Sequence, residues 1–177
     1  MRYKTILADP PWPMSIIPRR VRPNQKNMPY STMSVAGIAS LRVDGVAVSD
    51  LAENEAHLYL WTTHKYLPTA FDIMESWGFK YHCMITWDKT YGMTPLSFMF
   101  STEFCLFGQR PGKFLKLKKL GEKTLIREKP MEHSRKPLSM YELIEKVSYP
   151  PYLELFGRPH SPLFSKRDEW DVWGDEI

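Results

Sequence analysis

The sequence predicts an α/β fold: one largely parallel sheet with helices on both faces. Two observations carry this. Short apolar and β-branched runs recur along the chain, separated by stretches with helical spacing of apolar residues, the alternation that parallel strands joined by crossover helices produce. The runs are also mostly continuously apolar rather than alternating with polar residues, as strands covered on both faces require. With 177 residues, 43% of them hydrophobic, the chain has the apolar area for one packed core and no repeat or clear linker to divide it. Residues 1–177 are therefore read as a single domain.

The first strand is expected at Tyr3–Ala8, almost at the initiator Met. Further strands are expected at His57–Trp61, Tyr81–Trp87, Glu103–Phe107 and Tyr152–Phe156. Leu67, Phe71 and Met74 predict a helix that starts near Thr63 and is stopped by Gly78. Met140, Leu143 and Val147 predict another after Pro137, ended by Pro150 and Pro151. Weaker helical patterns cover Val35–Leu41 and Val48–Glu53. In such sheets ligands gather at the carboxyl ends of the strands, so the residues just after each strand carry the most functional weight.

Composition excludes a disordered or low-complexity chain. The uncharged apolar runs fall short of the roughly 20 residues that a membrane-spanning helix needs, and no signal-peptide core follows Met1-Arg2. Cys83 and Cys105 sit in strand-like runs without CxxC or Cys/His ligand spacing. Buried reduced thiols, no metal site and a cytoplasmic setting are the expectation. The formal charge of +4 is unevenly placed. Arg19, Arg20, Arg22 and Lys26 lie between Pro18 and Lys26 with no acid, and Arg110, Lys113, Lys116, Lys118, Lys119 and Lys123 are accompanied only by Glu122. Both stretches carry Pro or Gly and lack periodicity, so they read as basic loops (about 14–32 and 110–123) on a mildly acidic body, a layout suited to a polyanion such as nucleic acid.

Asp9-Pro10-Pro11-Trp12 follows the first strand directly. The two prolines fix φ and remove two backbone donors, so the turn presents acceptors, namely the Asp9 carboxylate and the Pro10 carbonyl. Two rigid acceptors suit an amino group with two N–H donors, and Trp12 offers a flat face for a planar ring bearing that amine. The exocyclic amine of a nucleobase satisfies all three. The competing reading, a proline-rich strand exit whose Asp caps nearby backbone and whose Trp fills the core, is the better one for an isolated Asp-Pro-Pro.

Further motifs extend the pattern: Met28-Pro29-Tyr30-Ser31-Thr32-Met33-Ser34, Leu58 to Thr63, Trp77-Gly78-Phe79, Ile85-Thr86-Trp87-Asp88-Lys89, His133 to Pro137 with Tyr141, Leu153 to His160, and Trp173-Gly174-Asp175-Glu176. In these the chain resembles the DPPW-type N6-adenine methyltransferases, the family of the catalytic subunit of the eukaryotic mRNA adenosine methyltransferase, and looks like a prokaryotic or phage member. The resemblance implies an S-adenosylmethionine-dependent enzyme with a Rossmann-like class I methyltransferase sheet in circularly permuted (beta-class) order. The catalytic strand then precedes the cofactor-binding strand, and Phe156-Gly157-Arg158 replaces a GxGxxG loop.

The resemblance also implies roles. Asp9, Pro10, Pro11 and Trp12 would form the catalytic corner. Tyr30 and Lys136, with Arg19, Arg20 and Arg22, would face the substrate. Asp9, Lys136, Glu154, Phe156, Gly157, Arg158, His160, Ser161, Asp175 and Glu176 would hold the cofactor, although the family's mRNA enzyme carries amides at the last two positions and at Ser161. The expected activity is methyl transfer to adenine N6 in nucleic acid, DNA before RNA, by a monomer or homodimer without membrane attachment. Two alternatives stand beside it: an RNA adenosine methyltransferase, and a silent nucleic-acid-binding partner subunit, which would be expected to lose the aspartate motif. A small-molecule or glutamine-amide methyltransferase would differ in being indifferent to salt.

Overall fold

The computed structural model describes residues 1–13, 32–93, 98–112, 114–130, 135–157 and 169–174. Along the chain it contains β1 (Tyr3–Ala8), α1 (Val35–Ala39), β2 (Arg42–Val43), β3 (Val46–Ala47), α2 (Val48–Leu51), β4 (Ala52–Thr62), α3 (Leu67–Ser76), β5 (Lys80–Met93), β6 (Phe100–Gln109), β7 (Leu125–Arg127), α4 (Leu138–Val147), β8 (Tyr152–Leu155) and β9 (Trp170–Trp173).

Seven strands form one sheet in the order β7-β5-β6-β4-β1-β8-β9, and β2 and β3 form a separate small hairpin. Within the large sheet β6 alone runs antiparallel to its neighbours, β4 and β5, and the other pairs are parallel. Central β1 lies between β4 and β8, with Ile6 opposite Leu58 on one side and Leu153 on the other. The chain leaves β1 toward β4 and later returns to the other flank as β8. The ends of β1 and β8 therefore mark the point where strand order reverses, the usual ligand crevice of an open α/β sheet.

Strand periodicity divides the core into two layers. Ile6, Ala8, Leu58, Leu60, Leu106, Leu153 and Leu155 face α1, α2 and α3 through Ile38, Val48, Leu51, Ala70, Ile73, Met74 and Trp77. Leu7, Tyr59, Trp61, Cys105, Phe107 and Tyr152 face α4 through Met140, Tyr141 and Ile144. Both faces are covered, which is why the strands read as unbroken apolar runs. Both cysteines are free thiols. Among the described residues no helix is long and apolar enough to cross a membrane.

Several boundaries differ from expectation. Helix α3 begins at Leu67 rather than near Thr63, because the Thr63 carbonyl accepts from Tyr66 N in a turn (3.1 Å) and Pro68 sits in the first helical turn. Gly78 ends the helix region at φ 79°, where its missing side chain also leaves room for Arg110. Strands β5 and β6 run well beyond their apolar centres, since their polar ends pair with each other above the sheet. The edge strands β7 and β9 were not foreseen.

Candidate active site

Asp9 leaves β1 at its carboxyl end, with its backbone N–H donating to the Leu155 carbonyl at the end of β8 (3.4 Å). The side chain thereby stands at the β1/β8 crevice. It accepts from Lys136 Nζ at 3.0 Å. Lys136 also reaches Glu103 of β6 at 3.2 Å, and the other oxygen of Glu103 takes Lys89 of β5 at 3.0 Å. The result is a chain of alternating charge, Asp9–Lys136–Glu103–Lys89, joining three strands and the lead-in to α4. Two indoles support it: Lys136 lies 5.3 Å from the ring centre of Trp61, Lys89 5.9 Å from that of Trp87, and the two rings meet edge to face.

Electrostatics fix the protonation states. Burial works against the Lys136 ammonium, but Asp9 and then Glu103 outweigh it and its pKa is raised. Burial likewise opposes the Glu103 carboxylate, but Lys136 and Lys89 hold its pKa below the usual value. At neutral pH Lys136 is a cation and Glu103 an anion, so Lys136 is not a general base. Cys105 lies beneath, fully buried, with its thiol pKa pushed up by burial and then by the Asp9 charge, so it stays an inert thiol.

The lead-in to α4 is held in place by Glu128. Its carboxylate accepts from Leu138 N (3.1 Å), Ser139 N (3.3 Å) and the Ser139 hydroxyl. This is a charged cap on a helix whose preceding Pro137 contributes no side-chain cap. Lys136 sits immediately before that anchored turn.

Trp12 departs from the sequence expectation. It is 7% exposed, its ring stacks on Tyr66 (5.1 Å, 12°) and its N–H donates to the Trp61 carbonyl at 3.2 Å. The indole is thus packed and hydrogen-bonded, and Tyr66, whose hydroxyl donates to the Pro13 carbonyl, takes the stacking place imagined for a base. The Pro10 carbonyl accepts from Trp12 N (2.8 Å), which closes the turn and leaves its second lone pair. Pro11 likewise has its carbonyl used, by Met33 N at 2.9 Å. The corner is stiff, and its outward-facing acceptors are the Asp9 carboxylate and the second lone pair of the Pro10 carbonyl.

At the end of β8, Phe156 has φ 66°, a costly backbone for a residue with a side chain. A side chain on Gly157 would come within 2.6 Å of Val172 and 2.9 Å of Glu154, and one on Gly174 within 2.3 Å of the Gly157 carbonyl. The ends of β8 and β9 are therefore pressed together into a tight turn beside Asp9. Glu154 is buried on the α4 face, where it accepts from the Tyr141 hydroxyl at 2.9 Å. Tyr30, Arg19, Arg20, Arg22, Arg158, His160, Ser161, Asp175 and Glu176 lie outside the described residues.

The second basic stretch is not at this site. Arg110 donates to the Gly78 and Ser49 carbonyls (3.2 Å each), Leu115 is bonded to His57, and Lys118 N reaches the Val147 carbonyl. All are at the opposite, amino end of the parallel strands. Lys119 pairs with Glu122, which also takes Lys146. The loop thus lies away from Asp9, with Arg110 turned onto backbone carbonyls and Lys116, Lys118 and Lys119 exposed. A shallow cleft lined by Asn54, Gly78, Arg110, Pro111 and Gly112 lies at this far end too, away from Asp9.

Glu103 and Lys89 were not singled out from sequence. The signals were a carboxylate opening an otherwise apolar run, Glu103-Phe104-Cys105-Leu106-Phe107, and the place of Lys89 at the end of the Ile85-Thr86-Trp87-Asp88-Lys89 motif.

An open, mostly parallel seven-stranded sheet with one antiparallel strand, and an acid at its switch point, is a Rossmann-like methyltransferase fold. The chain belongs to the MT-A70 family, whose model matches residues 3–176. It is similar to a probable N(6)-adenosine-methyltransferase MT-A70-like protein of Oryza sativa subsp. japonica, 29% identical over 90% of this chain and 21% of that protein. It is 26% identical to the type II methyltransferase M.MunI of Mycoplasma sp over 99% of this chain and 78% of that protein. To the human N(6)-adenosine-methyltransferase catalytic subunit METTL3 it is 24% identical, over 99% of this chain and 28% of that protein. The chain thus spans about a quarter or less of the length of the plant relatives. The family resemblance read from the motifs is correct, and the relatives carry methyltransferase names.

Proposed function

We propose that this chain transfers a methyl group from S-adenosylmethionine to N6 of adenine in nucleic acid, with DNA preferred to RNA. The observation that carries the reading is Asp9, held by Lys136 at the β1/β8 crevice beside the Pro10 carbonyl. The relatives include both a type II methyltransferase, M.MunI, and N(6)-adenosine-methyltransferases, and the test below separates DNA from RNA.

The residues present fit the cofactor. Gly157 and Gly174, where a side chain would strike Val172, Glu154 or the Gly157 carbonyl, keep the ends of β8 and β9 close together beside Asp9, and the Lys136 ammonium that pairs with Asp9 suits the methionine carboxylate. Arg158, His160, Ser161, Asp175 and Glu176 would complete the pocket by the family pattern. When bound, S-adenosylmethionine supplies an electrophilic methyl group on a sulfonium.

The chain's own part is alignment and charge. Asp9 and the Pro10 carbonyl accept the two N–H bonds of the N6 amine, which fixes the direction of attack and stabilises the positive charge that develops on nitrogen. Alignment of this kind is worth about 7–11 kcal/mol in favourable cases. Lys136 keeps Asp9 ionised and turned toward the crevice, and the proton released from N6 passes to an Asp9 carboxylate oxygen or to water. Trp12 supports the corner from beneath rather than holding the base.

The test is tritiated methyl transfer to DNA and RNA oligonucleotides of matched sequence, single- and double-stranded, followed by digestion to nucleosides. Label in N6-methyldeoxyadenosine, exceeding that in N6-methyladenosine, is expected. Binding of S-adenosylmethionine without incorporation into either polymer would overturn the reading in favour of a silent partner subunit.

A further inference from the structure

The β5–β6 hairpin rises past the carboxyl edge of the sheet, and its base carries Lys89 and Glu103 of the ion chain. Above that point the pairing is irregular. Asp88 faces Thr102 and Met93 faces Phe100, so β5 has three more residues in the interval than β6. The irregularity is built in rather than loose. Thr90 takes φ 66° with its N–H held by Asp88 Oδ1 at 2.8 Å, and Asp88 is braced by Arg127 at 2.8 Å. Gly92 is pressed onto the Phe100 carbonyl so closely that a side chain would lie 2.0 Å from it. Bulges of this kind re-aim side chains beside active sites.

What it aims outward is aromatic. Tyr91 is 59% exposed and Phe98 84%, and Phe100 lies face to face with exposed His64 (4.8 Å, 22°). His64 is itself fixed, edge-on to Phe104 and bonded to the Thr102 hydroxyl at 2.9 Å. Exposed rings in such number are usually buried against something. Thr90, Ser101 and Thr102 supply hydroxyls on the same two strands, exposed Lys65 follows His64 in the chain, exposed Arg127 pairs with Asp88, and the strands carry Lys89 and Glu103, through which the ion chain runs to Lys136 and Asp9. Exposed rings, one pair of them held face to face, with cations close by in the chain are the chemistry of a single-strand binding surface, where bases stack and the backbone finds positive charge. A second copy of the chain, by contrast, would have to cover these polar groups and cations.

We propose that Tyr91, Phe98 and the Phe100–His64 pair form a stacking platform for unpaired bases flanking the target adenine, so that the substrate at this site is single-stranded or locally opened nucleic acid. The platform rests on the nucleic-acid reading above and specifies its substrate. It also agrees with the chemistry, because N6 is unreachable in an intact duplex.

The test uses the full chain, a short single-stranded DNA oligonucleotide with one adenine, and the variants Tyr91→Ala and Phe98→Ala with their partners Tyr91→Phe, Phe98→Trp and Phe98→Leu. Oligonucleotide binding, read by fluorescence anisotropy, weakens about 5- to 150-fold for each ring removed. S-adenosylmethionine affinity and the slope of binding against salt stay as in the parent, because no phosphate contact is lost. Phe and Trp preserve binding and Leu does not. The platform is overturned by Ala variants that bind like the parent, by Leu serving as well as Phe, or by sedimentation showing that the rings hold a dimer which the Ala variants dissociate. Methyl incorporation by the parent judges the chemistry separately: the variant-to-parent binding ratio reads the platform even in a chain that transfers nothing.

Discussion

The two edges of the sheet hold two polar networks of opposite character. At the carboxyl edge, Asp9, Lys136, Glu103 and Lys89 are joined by ion pairs, with side chains 14–28% exposed. At the amino edge, His57, Ser148 and Thr5 are wholly buried and no ion pair joins them. The proton order there is dictated by the partners. The Leu115 carbonyl can only accept, so His57 Nε2 carries the proton (2.8 Å). Nδ1 then accepts from the Ser148 hydroxyl (2.8 Å), which accepts from Tyr59 (2.7 Å). One network keeps charge within reach of solvent at a crevice, where it can act on something else. The other satisfies itself and ties the 114–118 segment to the body. A polar cluster is a candidate site when its partners leave it charged and open, and a brace when every donor already has its acceptor.

Substitution should separate the two. On the proposed reading Asp9→Ala removes the acceptor at the reacting nitrogen and is expected to lower kcat at least about 10²–10³-fold. Its denaturation midpoint should change little, because Lys136 keeps Glu103 as a partner and the pair is partly exposed. Lys136→Met leaves Asp9 and Glu103 facing each other without the cation that holds the Glu103 pKa down. The acid limb of the kcat/KM–pH profile therefore moves to higher pH. An Asp9→Ala variant with near-parental turnover would show that the carboxyl-edge network is a brace as well.

The converse holds at the amino edge. His57→Ala orphans the Leu115 carbonyl and the Ser148 hydroxyl and opens a cavity, at a cost of about 2–4 kcal/mol in urea denaturation. Methyl transfer per folded molecule should stay within roughly twofold of the parent, as for a site away from the chemistry. Burial, reinforced by His82 and only partly offset by the Leu115 bond, holds the His57 pKa below 6.5. The unfolded chain thus binds a proton that the native chain refuses. The stability from neutral His57 is complete above about pH 6.5 and is lost as pH falls through the lower native value. The parent should weaken between pH 7 and 5 more steeply than His57→Ala.

This asymmetry explains what could be read from the sequence. Tyr3–Ala8 and the strand starting at Tyr152 were legible because strands buried on both faces are written as continuous apolar runs. The four residues of β9, one of them Asp171, and the three of β7 offer too little pattern. Asp9 was legible because a strand exit and two prolines are local features. Glu103 and Lys89 were not, since their meeting with Lys136 depends on pairing between distant segments. Trp12 and Arg110 are expected to face outward from their place in a strand-exit motif and in a basic, Pro- and Gly-containing stretch. Stacking on Tyr66 and bonds to the Gly78 and Ser49 carbonyls turned Trp12 and Arg110 inward.

Glu128 sits between the two cases and gives the smallest expected effect. It caps α4, so Glu128→Ala should cost about 1 kcal/mol of stability, as lost caps do. Lys136 lies two residues before the capped turn, which couples the cap to the ion chain. If the cap sets the position of the ammonium, Glu128→Ala also raises the KM for S-adenosylmethionine several-fold while kcat holds, and Glu128→Gln restores part of both through its remaining acceptor oxygen. A loss of stability with KM unmoved would make Glu128 a brace alone, and would mean that Asp9 and Glu103 hold Lys136 without help from the helix.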